Sequence, residues 1–198
     1  MLTVAIQAGG ESRRMGQDKA LLPFLGQPLI VRVLERLKPL ADEILVTTNR
    51  PQAYQFLGLP LYPDPQPGRG ALGGLYTALN AASHPLVAVV ACDMPFVNAA
   101  LLSAMRDALL ATQADIAIPV TGEGTEPFHA VYRRLTCLPP VQQALESGKW
   151  RVDSWFNQVQ LYPLQPEEIR RYDPDGVCFW NVNTPEELKA AQQLAERL

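Results

Sequence analysis

The chain has 198 residues, 47% of them hydrophobic and 19% charged, with 17 basic and 20 acidic side chains. That length suits one domain with a full hydrophobic core, and two independent domains would be cramped. A formal charge of -3 gives no general pull toward nucleic acid or anionic lipid, so any bound phosphate must be held by a local site.

Leu2–Gln7 is apolar and β-prone and runs into Ala8-Gly9-Gly10, where a strand must stop. Leu29, Ile30, Val33, Leu34, Leu37 and Leu40 recur at helical spacing, which predicts a helix over Leu29–Leu40. Glu43–Thr48 reads as a second strand and Gln52–Leu57 as a short helix. A proline-rich loop through Pro63–Arg69 precedes a helix from about Gly73 to Ala82. Pro85–Ala91 is almost continuously apolar, as a strand covered on both faces should be. Asn98 can cap a helix running to about Leu110, and Asp115–Val120 is another short strand. Phe128–Tyr132, Val159–Pro163 and Val177–Trp180 are weaker strands. Thr184-Pro185-Glu186-Glu187 opens a last helix, with threonine at the cap, proline at the first helical position and glutamate three residues after the cap.

Alternating strands and helices predict an α/β fold with a mostly parallel, Rossmann-like sheet flanked by helices and joined by right-handed crossovers. Ligands of such sheets sit beyond the carboxyl ends of the strands. Gln7–Gly10, Thr48-Asn49 and Cys92-Asp93 all fall at such ends and should converge on one edge. No apolar run approaches the ~20 residues of a membrane span, and Met1–Thr3 carries no basic leader, so neither membrane insertion nor secretion is expected. The three cysteines, Cys92, Cys137 and Cys178, are odd in number and far apart. They fit neither a disulfide framework nor a zinc pattern, and point to a reducing cytoplasm.

The most informative stretch is Ala8-Gly9-Gly10-Glu11-Ser12-Arg13-Arg14-Met15-Gly16-Gln17-Asp18-Lys19. Two glycines after a buried strand let backbone N–H groups approach a polyphosphate, and Arg13, Arg14 and Lys19 add positive charge around it. A glycine turn followed by a solvated basic loop is the alternative, and no Walker pattern is present. Asp93, directly after a buried strand, is placed to hold Mg²⁺, which prefers one or two carboxylates plus substrate phosphates and water. It could instead order the turn before Pro95. Gly68-Arg69-Gly70-Ala71-Leu72-Gly73 spells a dinucleotide fingerprint, but Pro63, Pro65 and Pro67 stand where its strand should be. Those glycines are better read as a loop folding over a ligand and starting a helix. Asn49 either hydrogen-bonds a nucleoside or satisfies a turn; Asp64 either reads a base or ribose or forms a turn. His129 reads as an interior histidine, Cys92 as a small buried hydrophobe, and Trp150, Trp155 and Trp180 as core, unless one of them lines a ring-binding wall.

Taken in order, Ala8-Gly9-Gly10 through Arg14-Met15-Gly16-x-Asp18-Lys19-x-Leu21-Leu22, Gly26-Gln27-Pro28-Leu29, Asn49, Asp64 with Gly70–Leu75, Cys92-Asp93-Met94-Pro95-Phe96, Glu126–Tyr132 and Asn181–Leu188 resemble the molybdenum cofactor guanylyltransferases, the MobA family. The resemblance spans nearly the whole chain. It implies a nucleotidyltransferase architecture like that of nucleotide-diphospho-sugar transferases, in one domain covering residues 1–198. The part up to about 110 would bind nucleotide, and the part from about 111 would bind the acceptor. Gln7, Ala8, Gly9, Gly10 and Lys19 would contact GTP, with Asn49 and Asp64 on its nucleoside side. Asp93 would touch the nucleotide and hold Mg²⁺, with Asn183 near the metal. Arg14, Lys19 and Asp93 would carry catalysis, and Arg151 would face the pterin. Two positions depart from the family pattern: Gln7 stands where leucine is common, and Ala71 where proline is usual.

The implied reaction is attack of a terminal phosphate oxygen of molybdopterin on the α-phosphorus of Mg·GTP, with release of pyrophosphate. Partners would be GTP, the molybdopterin acceptor and other proteins of molybdenum cofactor biosynthesis or delivery, with no nucleic acid and no membrane. Two alternatives stay open. One is a cytidylyltransferase acting on molybdopterin or another phosphorylated small molecule. The other is a non-catalytic module that binds GTP.

Overall fold

The computed structural model describes residues 1–8, 18–66 and 68–197. Its frame is an eight-stranded sheet whose strands alternate their side chains between two helical layers. The N-terminal strand β1 (Leu2–Gln7) is paired in parallel with β4 (Glu43–Thr47) on one side and β6 (Leu86–Ala91) on the other. Between β1 and β4 come a small hairpin, β2 (Pro23–Phe24) with β3 (Gln27–Pro28), and the helix α1 (Leu29–Leu37). Beyond β4 the edge is closed by β5 (Leu61–Tyr62), and α2 (Gly70–Ala81) then crosses back to β6.

The second half of the chain extends the same sheet. After β6 follow α3 (Ala99–Ala111), β7 (Ile116–Thr121), β8 (Gly124–Thr125), β9 (His129–Arg133), α4 (Arg134–Glu146), β10 (Leu161–Leu164), α5 (Pro166–Ile169) and α6 (Pro185–Ala195). The order across the sheet is β10-β7-β9-β6-β1-β4-β5, with β8 attached to β7. Along that path β9 alone runs against its neighbours, antiparallel to both β6 and β7. The sheet is therefore mostly parallel, as alternating elements predict.

Period-two alternation along the strands separates two cores. Val4, Ile6, Val46, Ala88 and Val90 face α1 and α3, meeting Ile30, Val33, Leu101 and Met105. Ala5, Leu45, Val87 and Val89 face α2 and α4, meeting Leu72, Leu75, Val141 and Leu145. Each such aliphatic side chain, fully removed from water, contributes about 1.5–3 kcal/mol. A third, smaller cluster joins the hairpin to the C-terminal helix through Phe24, Leu29, Phe96, Val182 and Ala191. Among the described residues no helix is long and apolar enough to cross a membrane.

Three expectations need correction. Val177–Trp180 is not a strand: the Trp180 N–H donates to the Val177 carbonyl at 3.0 Å, closing a turn. The Cys178 N–H is taken by Asp173 Oδ2 at 2.9 Å, so this segment spends its backbone locally and packs by its side chains. The helix α2 begins at Gly70 instead of Gly73, because Gly70-Ala71-Leu72-Gly73, assigned to the loop from the sequence, is itself the first helical turn. The helix α4 is absent from the sequence reading because Pro139 and Pro140 lie inside it. Those prolines leave the carbonyls of Leu135 and Thr136 without helical donors. Both residues are on the exposed side of the helix, where water can replace the missing bonds.

Candidate active site

Parallel pairing brings the carboxyl ends of β1, β4 and β6 level, with Gln7 in register with Thr47 and with Ala91. The ladder continues one step past the strands: the Ala8 N–H donates to Thr47 O at 2.8 Å, and the Cys92 N–H to Gln7 O at 3.1 Å. Above this edge opens a cleft of about 690 Å³, whose lining includes Gln7, Ala8, Lys19, Asn49, Asp64 and Asp93. Residues predicted from separate strand ends thus share one crevice. Gly9, Gly10, Arg13 and Arg14 lie outside the described residues.

Among the described residues the cation of the floor is Lys19. Its Nζ donates to Asn183 Oδ1 at 2.6 Å and lies 3.6 Å from Asp93 Oδ2. The lysine and aspartate side chains are 20% and 18% exposed, respectively. At that separation and an effective dielectric of 20 the attraction is about 4–5 kcal/mol before desolvation is subtracted. Burial nevertheless pushes the Asp93 carboxyl above the ordinary carboxylate range, outweighing the pull of Lys19, and the nearby Glu187 adds in the same direction. Among the described residues one ammonium faces this carboxylate and leaves it under-compensated.

Two supports hold the lysine in place. Asp18 caps the turn Lys19–Leu21 by accepting from the Ala20 N–H at 3.2 Å. Its other oxygen accepts from the Arg50 guanidinium and the Tyr54 hydroxyl. The charge of Asp18 is therefore spent on shaping the turn that carries Lys19. The second support comes from the far end of the chain. The Val182 N–H donates to Asp93 O at 2.9 Å. Beside it, the Asn183 and Thr184 N–H groups both donate to Glu187 Oε2, at 2.6 and 3.0 Å. Thr184 Oγ1 accepts from the Glu187 N–H at 3.1 Å, completing the capping box anticipated from the sequence. The start of α6 thus aims Asn183 at Lys19.

The wall is built differently. Asn49 Oδ1 accepts from the Asp64 N–H at 2.9 Å, and Asp64 Oδ1 from the Gln66 N–H at 2.9 Å. Both residues order the loop, as the turn reading of each expects, and both also line the cleft. The cleft is also lined by Gly68, Gly70, Ala71, Phe128 and Trp150. Trp150 is not core: it is 63% exposed, and the Arg69 guanidinium lies 5.9 Å from its ring centroid. The core reading is right for Trp155, fully buried, whereas Trp150 takes the alternative place, on the wall of the cleft. Trp180 is partly covered and packs on Phe96 at 5.9 Å. The neighbouring Arg151 is outside the cleft lining, and its side chain is 82% exposed and paired in bidentate fashion with Asp153. His129 is fully buried, accepts from the Asn98 N–H at 3.1 Å, and is driven down to a pKa of about 4 by burial. Burial also pushes the Cys92 thiol well up, so it supplies no thiolate to the cleft.

A family model described as "MobA-like NTP transferase domain" matches residues 4–160. A probable molybdenum cofactor guanylyltransferase of Peptoclostridium acidaminophilum is 35% identical over 196 residues, covering 96% of this chain and 88% of that protein. The molybdenum cofactor guanylyltransferase of Desulfosudis oleivorans is 34% identical over 192 residues, covering 96% and 94%. Among solved structures, molybdopterin-guanine dinucleotide biosynthesis protein A of Archaeoglobus fulgidus superimposes with a TM-score of 0.85 at 25% identity, over 99% of this chain and 100% of that one. The 2-C-methyl-D-erythritol 4-phosphate cytidylyltransferase of Thermus thermophilus shares the fold, with a TM-score of 0.70 at 19% identity over 97% and 98%. With the family model spanning most of the sheet and relatives spanning nearly the whole chain, the protein belongs to the MobA-like NTP transferases and is a nucleotidyltransferase.

Proposed function

We propose that the protein transfers GMP from GTP to molybdenum-molybdopterin, releasing pyrophosphate and forming the guanine dinucleotide cofactor. The observation that carries this reading is Lys19 fixed between Asp93 and Asn183 at the foot of an open cleft. The phosphate nucleophile is already anionic at neutral pH, so the transfer needs no strong general base. It needs alignment and charge neutralisation. Two unit charges 4 Å apart repel by about 4 kcal/mol at an effective dielectric of 20, and a polyphosphate meeting a phosphorylated acceptor multiplies that term. Lys19 offsets it at the attacked phosphate and on the leaving pyrophosphate.

The donor set suits magnesium delivered with the nucleotide. Among the described residues no three His, Cys, Asp or Glu side chains gather as a metal cage. What the cleft offers is the under-compensated carboxylate of Asp93 with the Asn183 amide nearby, and magnesium takes its remaining ligands from phosphates and water. Bound there, it would polarise the phosphoryl group and neutralise charge. In this reading the strands on the β5 side of β6, with Asn49 and Asp64, hold the nucleoside. The part from about residue 111 receives the pterin, and Arg151 would have to release Asp153 to take part.

The fold alone leaves the base open, since a cytidylyltransferase shares it; the relatives at 34–35% identity favour guanine. Offering GTP, CTP, ATP and UTP separately, each with Mg²⁺ and molybdopterin, tests nucleotide, acceptor and reaction together. Pyrophosphate release and a product of guanylylated mass with GTP alone are expected. Release with CTP alone, or GTP binding without release, would replace this reading.

A further inference from the structure

The wall helix α2 has a weak beginning. Arg69 before it provides no side-chain cap, and Gly70, Gly73 and Gly74 fall within its first five residues. Each glycine costs about 1 kcal/mol of helix propensity relative to alanine. Gly68 and Gly70 have φ of 86° and 59°, a region that leaves the approach to the helix without the restraint of a side chain. Such a turn frays unless something outside the helix holds it.

What holds it is Gln7. Its Nε2 donates to Ala71 O at 3.2 Å, a contact between residues 64 apart in the chain. The fit is made from both sides. A Cβ on Gly74 would collide with Gln7 Nε2 and come within 3.1 Å of Gln7 Cγ, so the amide fills space that only glycine leaves. A Cβ on Gly73 would likewise run into Asp64 Oδ2. Gln7 Oε1 is buried with no donor among the described residues. Among the described residues the Gln7 side chain bonds to neither Lys19 nor Asp93.

We infer that the Gln7 amide is a positioning clasp: it ties the first turn of α2 to the end of β1 and so sets the width of the nucleotide cleft. It acts on nucleotide affinity and not on the chemical step. The inference rests on the cleft being the GTP site. Proline at position 71 should replace the tether by stiffness, because the second residue of a helix needs no N–H partner and proline fixes its φ.

The test compares Gln7→Leu with Gln7→Leu/Ala71→Pro. The single variant should raise KM for GTP about tenfold with kcat within twofold, and the double variant should recover most of that loss. Amide hydrogen exchange at Gly73–Tyr76, measured without any substrate, should quicken about tenfold in Gln7→Leu and slow again in the double variant. Unchanged exchange in Gln7→Leu, a fall in kcat at unchanged KM, or no recovery on adding proline would each overturn the clasp. Quickened exchange in a protein whose parent form does not bind GTP would instead overturn the nucleotide assignment and leave the clasp standing.

Discussion

The floor and the wall of the cleft follow opposite designs. The floor is made of strand ends locked by backbone bonds on both sides, with Ala8 and Cys92 extending the ladder and the C-terminal segment docked on Asp93. The wall starts with an uncapped helix rich in glycine and held by one glutamine amide. Rigid charges below and an adjustable side above suit a site where the phosphates must be held in one geometry while substrates enter and leave. Chemistry should therefore be lost by changing the floor, and affinity by changing the wall.

The largest effects are expected on the floor. Lys19→Ala should lower kcat by about 10²–10³-fold, the usual magnitude for deleting one charge stabiliser. Asp93→Asn should lower it comparably while leaving the melting temperature unchanged or raised. A carboxyl held above its ordinary pKa by burial destabilises the fold when ionised, so removing its charge relieves that cost. A large drop in melting temperature with residual activity would reverse the roles assigned here.

Next comes the pH dependence under the floor. His129 titrates near 4 in the folded protein against 6.5 when unfolded. Between those values the unfolded chain holds the extra proton, so stability is full above about pH 6.5 and falls as the pH drops toward 4. The loss amounts to up to about 3 kcal/mol. Urea unfolding at pH 8 and pH 4.5 checks this, and His129→Phe should flatten that part of the profile. The same variant should lose about 1–3 kcal/mol at pH 8, because the Asn98 N–H goes unpaired.

Smaller changes sharpen the contrast. Thr184→Ala should cost about 1 kcal/mol of stability by removing a helix cap. It should also lower kcat several-fold, since the same cap aims Asn183 at Lys19. On the wall, Gly74→Ala should gain up to about 1 kcal/mol of helix propensity while displacing the Gln7 amide. That predicts a protein at least as stable as the parent with a higher KM for GTP, and steady-state kinetics beside thermal melts would show the split.

Much of the floor could be read from residue order, because the rule that parallel strands share a carboxyl edge turns three separate motifs into one site. The capping box at Thr184–Glu187 was equally legible, being wholly local. Contacts between distant segments were not. Nothing in the sequence says that Asp18 spends its charge on Arg50 and Tyr54. Gln7 and Ala71, noted as two separate departures from a family pattern, prove to touch. Composition did not say which tryptophan leaves the core, since apolarity predicts burial on average but not at a rim. Pro139 and Pro140 hid a helix whose exposed side tolerates them.

The bond from Lys19 to Asn183 joins residues 164 positions apart. A growing polypeptide emerging from the ribosome can therefore lay down most of its sheet long before its principal ammonium acquires this partner. The floor would be complete only once both Asn183 and Glu187, which caps α6 and steadies the asparagine, have been made. Until then the lysine would have its turn, shaped by Asp18, and its carboxylate neighbour, but not the amide that completes its setting.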